Sequence, residues 1–169
     1  NRGLFSYRQV KPVDVLIARA VVEAGMTLLV YVFTLSVLGW LGFHVLPADS
    51  LTMIGINAMM LVFGTGYGIF VAVLTHERPR MRSMVRMSSM PLYLASGIMF
   101  PVDLLPRQYL EPLLWNPLLH LVELSRHAFI PDYVPVRGVG VLYPLLCMLV
   151  ITALGLALYQ AKRQRLVAS

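Results

Sequence analysis

Polar and apolar positions in this chain come in blocks. Four stretches, 24–43, 51–75, 87–102 and 138–161, contain no Asp, Glu, Lys or Arg. A helix needs about 20 apolar residues to cross roughly 30 Å of hydrocarbon. Three of the stretches reach that length outright, and the remaining one, 87–102, reaches it only if Arg86 snorkels to the boundary. Helices are the default spanning solution because a bilayer offers no water to backbone groups, and these runs are too long for barrel strands. The pattern predicts an all-α polytopic helical bundle, one transmembrane domain over 1–169, with spans at 15–43, 51–75, 86–102 and 138–161.

The connections set the orientation. Arg2, Arg8 and Lys11 precede the first span, Arg78, Arg80, Arg82 and Arg86 follow the second, and a basic tail covers 162–169. The alternate connections, 44–50 and 103–134, lean acidic, so the positive-inside rule places the three basic segments in the cytoplasm. The formal charge of +6 therefore belongs to membrane ends and not to one basic patch, which argues against a nucleic-acid partner and for contact with membrane lipids. Composition agrees: 58% of the residues are hydrophobic and 13% charged, against about 25% charged in soluble domains. The start at Asn1 leads us to expect further spans ahead of this sequence.

The connection after the third apolar run fits neither a span nor a loop. It is rich in leucine, yet Pro101, Pro106, Pro112, Pro117 and Pro131 break it. Asn116 followed by Pro117 is a strong helix start, since Asn caps free N–H groups and Pro at the first helical position needs no donor. Two pieces of about ten residues, each near half the bilayer thickness, suit a hairpin that dips in from outside and turns back over 103–134. Trp115, Tyr109 and Tyr133 are types that favour the interface. At the other end, Pro12 and Asp14 suit a helix start, and Arg19 can pair with Glu23 one turn later.

Chemistry-bearing motifs are few. The glycines of GTGYG, Gly64 to Gly68, lie inside an apolar run with no strand before them and no Gly-Lys-Ser/Thr, so the Gly64-xxx-Gly68 spacing predicts close helix packing and not phosphate binding. His120, Glu123 and His127 share a helix face, but their order matches neither H-E-x-x-H nor H-x-x-E-H. A hydrogen-bonded cluster with Arg126 explains them; a metal-dependent intramembrane enzyme is the remote alternative. Cys147 reads as a small buried side chain.

The segment SGIMFPVDLLPRQYLEPLLWNPLLHLVELSRHAF, 96–129, resembles the C-terminal signature of ABC-2-type exporter permeases, closest to the capsular polysaccharide export permeases of Gram-negative bacteria. The phrases SG-x-x-FP, LP, WNPL and H-x-x-E-x-x-R carry the likeness, and FSYRQVKPVD at 5–14 resembles the same family's cytoplasmic segment before its third span.

That resemblance implies a type V ABC exporter permease with six spans, of which this sequence holds the last four. It implies a homodimer in the inner membrane of a bacterial cell, working with two ATP-binding cassette subunits and with periplasmic co-polymerase and outer-membrane export components. The substrate implied is lipid-linked acidic capsular polysaccharide; O-antigen or teichoic acid would share most of the pattern. No cofactor is expected on this chain, with ATP and Mg on the partner subunit. Tyr7, Arg8, Gln9, Val10, Lys11, Pro12, Val13 and Asp14 would couple to the ATPase. Arg78, Arg80, Arg82 and Arg86 would meet the acidic glycan, or anionic headgroups, at the cytoplasmic mouth. Tyr67, Tyr93 and Phe100 would offer ring faces to its sugars along the channel, or simply pack. Pro101, Pro106, Trp115, Asn116, Pro117, His120, Glu123 and Arg126 would build the re-entrant hairpin before the last span.

Overall fold

A computed structural model describes residues 12–43, 45–76 and 79–168. Among these every regular element is helical: α1 (Pro12–Trp40), α2 (Ser50–Thr75), α3 (Pro79–Leu94), a 3₁₀ turn at Val102–Leu104, α4 (Arg107–Leu113), α5 (Pro117–Phe129) and α6 (Leu142–Ala168). Among the described residues three helices are long and apolar enough to cross a membrane, over Ile17–Trp40, Ser50–Thr75 and Leu142–Lys162. α1 buries little: Val21, Val22, Met26, Leu29 and Phe33 are all exposed, as a lipid-facing helix would leave them.

The third apolar run behaves differently from the expected span at 86–102. Helix α3 starts seven residues earlier, carries Arg80, Arg82 and Arg86 inside it, and ends at Leu94. Pro91 lies within its last turn and removes one backbone donor there. Beyond it the chain turns at Gly97, whose φ of +70° an L side chain rarely adopts. Sixteen residues of α3 rise only about 24 Å, so this run does not form one uninterrupted helix of membrane length.

α2 is the hub, packed mainly on α6 and on α5. A Cβ on Gly66 would collide with the Thr152 hydroxyl and lie 3.0 Å from Thr152 Cα, and one on Gly155 would lie 3.0 Å from the Gly66 carbonyl oxygen. The close approach of α2 and α6 is therefore made at the middle glycine of GTGYG. Gly64 and Gly68, the pair expected to pack, face open space, where they and Thr65 line a cleft of about 440 Å³ with Arg19 and Glu23. At the other end of α2, Ile56 joins Leu121 and Ala128 of α5 in a buried cluster. Two backbone bonds, Asp49 N to Ala128 O at 2.9 Å and Ala48 N to Phe129 O at 3.4 Å, fasten the α1–α2 connection to the end of α5.

Candidate functional site

The most elaborate polar structure surrounds α5. Asn116 caps it as expected: its side-chain oxygen accepts from Leu118 N at 3.1 Å, and Pro117 follows as the first helical residue. Its Nδ2 also donates to Leu92 O at 3.0 Å, a carbonyl at the end of α3. The two short helices expected between 103 and 134 are present as α4, of seven residues, and α5, of thirteen. Pro106 stands at the N-cap of α4 and Pro101 at that of the 3₁₀ turn.

Glu123 is the centre. Its side chain has no solvent exposure, and its carboxylate accepts from Arg126 at 2.8 Å, from the Tyr133 hydroxyl at 2.9 and 3.0 Å, and from Val136 N at 3.4 Å. A buried carboxylate is tolerable only when paired and hydrogen-bonded in this way. Arg126 reaches beyond the pair to donate to the carbonyls of Gly97 and Ile98. Burial, and then the hydrogen bond to Glu123, push the Tyr133 phenol above its usual range.

His120 makes separate contacts. Gly140 N donates to its Nδ1 at 3.1 Å, so Nδ1 carries a lone pair and Nε2 donates to Leu114 O at 2.8 Å, the neutral tautomer. Its ring lies 5.1 Å from that of Tyr143, whose hydroxyl donates to Trp115 O at 2.7 Å. His127 donates from Nδ1 to Tyr133 O at 2.6 Å. The polar face of α5 thus holds three clasps, those of Glu123 and His127 meeting at Tyr133, and among the described residues no three of His, Cys, Asp and Glu gather as metal ligands.

Elsewhere the expected site residues disperse. Tyr67 is half-buried along α2, while Tyr93 and Phe100 are exposed near the C-terminal end of α3. Arg80, Arg82 and Arg86 are exposed on α3, with Arg82 and Arg86 one turn apart. Arg78 and the segment Tyr7 to Lys11 lie outside the described residues; Pro12, Val13 and Asp14 form the first turn of α1. Arg19 Nε stands 3.8 Å from Glu23, both side chains largely exposed, as the four-residue spacing suggested. At the turn before α2, Asp49 accepts from Leu51 N and Thr52 N at 3.1 Å each. The Thr52 hydroxyl, then its amide, hold the Asp49 carboxyl below its usual range.

Sequence reasoning missed Tyr133, Gly97 and Gly140 as partners of this cluster. Tyr133 was legible as an interfacial type, and the glycines carried no signal because they contribute backbone groups.

Comparison with known proteins adds what geometry does not. The family model of the ABC-2 type transporter matches residues 3–130. The chain is 36% identical over all 169 of its residues to the polysialic acid transport protein KpsM of Escherichia coli, and spans 65% of that protein's length. It is 34% identical over 163 residues to the capsule polysaccharide export inner-membrane protein CtrC of Neisseria meningitidis, covering 93% of this chain and 59% of the relative. With BexB of Haemophilus influenzae, which bears the same description, identity is 26% over 134 residues, covering 79% of this chain and 51% of the relative. All three relatives are named for transport or export, not for catalysis.

Proposed function

Because the chain belongs to the ABC-2 type transporter family, we propose that it is the inner-membrane permease subunit of an exporter that moves lipid-linked acidic capsular polysaccharide outward, driven by ATP hydrolysis on separate cassette subunits. The observation that carries this reading is the 36% identity across the whole chain to a protein named for transport of polysialic acid, a polyanion. Three apolar helices of spanning length and basic residues at alternate connections agree with it.

In this reading α3 and the turn that follows it make the third of four crossings, and residues 103–134 form the re-entrant hairpin on the outer side. The buried clasps of α5 support such a placement, since irregular backbone at membrane depth must be covered by protein. Arg80, Arg82 and Arg86 lie on a helix with no acid of its own, which leaves their charge available to a polyanion at the cytoplasmic mouth. Residues 1–14 act as the coupling segment to the ATP-binding subunits, and the permease works as a homodimer next to a periplasmic co-polymerase.

Deletion of the gene in its capsulated host tests the proposal. The expected result is polymer retained inside the cell and restored to the surface by the wild-type gene. Surface polysaccharide unchanged by the deletion contradicts it.

A further inference from the structure

α3 is held unevenly along its length. From residue 80 to its end only Met81, Val85 and Ser89 are half-buried, one stripe at four-residue spacing, while Met84, Met87, Met90, Leu92 and Tyr93 are exposed. The part of the helix before Pro91 is therefore covered along one narrow stripe, and α2 is the main neighbour of α3. Its outer end is gripped from α5. Ser96 N bonds to Tyr93 O, which leaves the Leu92 carbonyl free, and Asn116 Nδ2 takes it at 3.0 Å. A turn later Arg126 takes the carbonyls of Gly97 and Ile98. Ser96 and Val102, on either side of this grip, have no solvent exposure.

The grip is itself anchored. Glu123 fixes the Arg126 guanidinium and is fixed in turn by Tyr133 and Val136 N. α5 is bonded to the start of α2 through Ala128 and Phe129, and to the entry of α6 through His120 and Gly140 N. So α2, α5 and the start of α6 form one body to which the outer end of α3 is clamped. Between the clamp and the arginine-bearing part of α3 lies Pro91, which cannot donate to the Met87 carbonyl and so weakens the helix at that point.

We propose that Arg126 is a positioning residue for export: with Asn116 it clamps residues 92–98 to α5, so that residues 79–90 of α3 swing about Pro91 against a fixed outer end. This rests on the transporter reading, since the force on the inner end has to come from the ATP-binding partner. Interactions formed by charged donors to backbone carbonyls are the stronger class of hydrogen bond, which suits a clamp under load.

Hydrogen exchange read by mass spectrometry tests it, on the full-length permease with its ATP-binding partner in lipid nanodiscs, nucleotide-free and with ATP trapped. In the wild type, trapping is expected to change exchange in 79–90 by at least about threefold and to leave 92–101 unchanged. Arg126→Gln is expected to raise exchange in 92–101 about tenfold and to abolish the nucleotide response of 79–90, which general destabilisation would not do selectively. Asn116→Ser keeps a capping oxygen for α5 but loses the donor to Leu92, and is expected to loosen the same segment with Glu123 still paired, should Arg126→Gln fail to fold. The clamp is overturned if 92–101 responds to nucleotide together with 79–90 in the wild type, if 79–90 does not respond at all, or if neither variant changes 92–101. Export is scored separately, and a wild-type complex without export would overturn the transporter reading while the exchange pattern still decides the clamp.

Discussion

Replacing Glu123 with Ala removes the acceptor on which Arg126, Tyr133 and Val136 N converge. The carboxylate is fully buried and the Arg126 side chain is 19% exposed, so the guanidinium left behind has little water to turn to. Breaking one side of a buried pair costs about 3–5 kcal/mol, more than the roughly 1 kcal/mol of an ordinary hydrogen bond, because a charge is stranded. For a chain of this size each kcal/mol shifts the midpoint by about 2–4 °C, so the thermal transition in detergent should fall by roughly 10 °C. Glu123→Gln keeps the shape and one acceptor and should lose less than half as much. Tyr133→Phe alone should cost about 1–2 kcal/mol, and in a double-mutant cycle with Glu123→Ala should couple by about 1 kcal/mol, since the phenol has no carboxylate left to bond. A Glu123→Ala variant within about 1 kcal/mol of wild type, or strict additivity with Tyr133→Phe, would refute the claim that this carboxylate organises the polar cluster around α5.

Other variants probe other parts of the molecule. Gly66→Ala should destabilise by about 1–3 kcal/mol in the same thermal assay, because its Cβ meets Thr152, whereas Gly64→Ala, which faces open space, should cost nothing. Paired substitution Arg82→Gln and Arg86→Gln should lower export about tenfold without reducing assembly with the ATP-binding subunit, and unchanged export would leave these arginines to lipid headgroups. The Asp49 carboxyl is lowered by its capping bonds, so its contribution is present at neutral pH and lost as pH falls below about 4. Asp49→Asn keeps a capping oxygen and should abolish that part of the pH dependence, measured as the difference in melting temperature between the two proteins.

What could be read before the structure was whatever depends on local spacing. The long apolar helices follow from the length of uncharged runs, the Asn116-Pro117 start from capping chemistry, and the Arg19–Glu23 and Arg126–Glu123 pairs from spacings of four and three residues along one helix. The end of α3 at Leu94 did not follow, because an uncharged run looks continuous although Pro91 and a left-handed Gly97 end the helix within it. The choice of Gly66 over Gly64 and Gly68 depends on which face α6 covers, a tertiary fact. Likewise the two histidines share a face with Glu123, yet bond to backbone groups of Leu114, Gly140 and Tyr133 that no side-chain pattern marks.

The central claim is ATP-driven movement of an acidic polymer through this permease. It is met most directly in inside-out membrane vesicles containing the full-length protein and its ATP-binding partner, supplied with radiolabelled lipid-linked polysaccharide. Uptake into a protected lumen that needs ATP hydrolysis and fails with a hydrolysis-dead partner is the expected result. Uptake that is absent in a vesicle with an intact complex, or equal without ATP, contradicts the account.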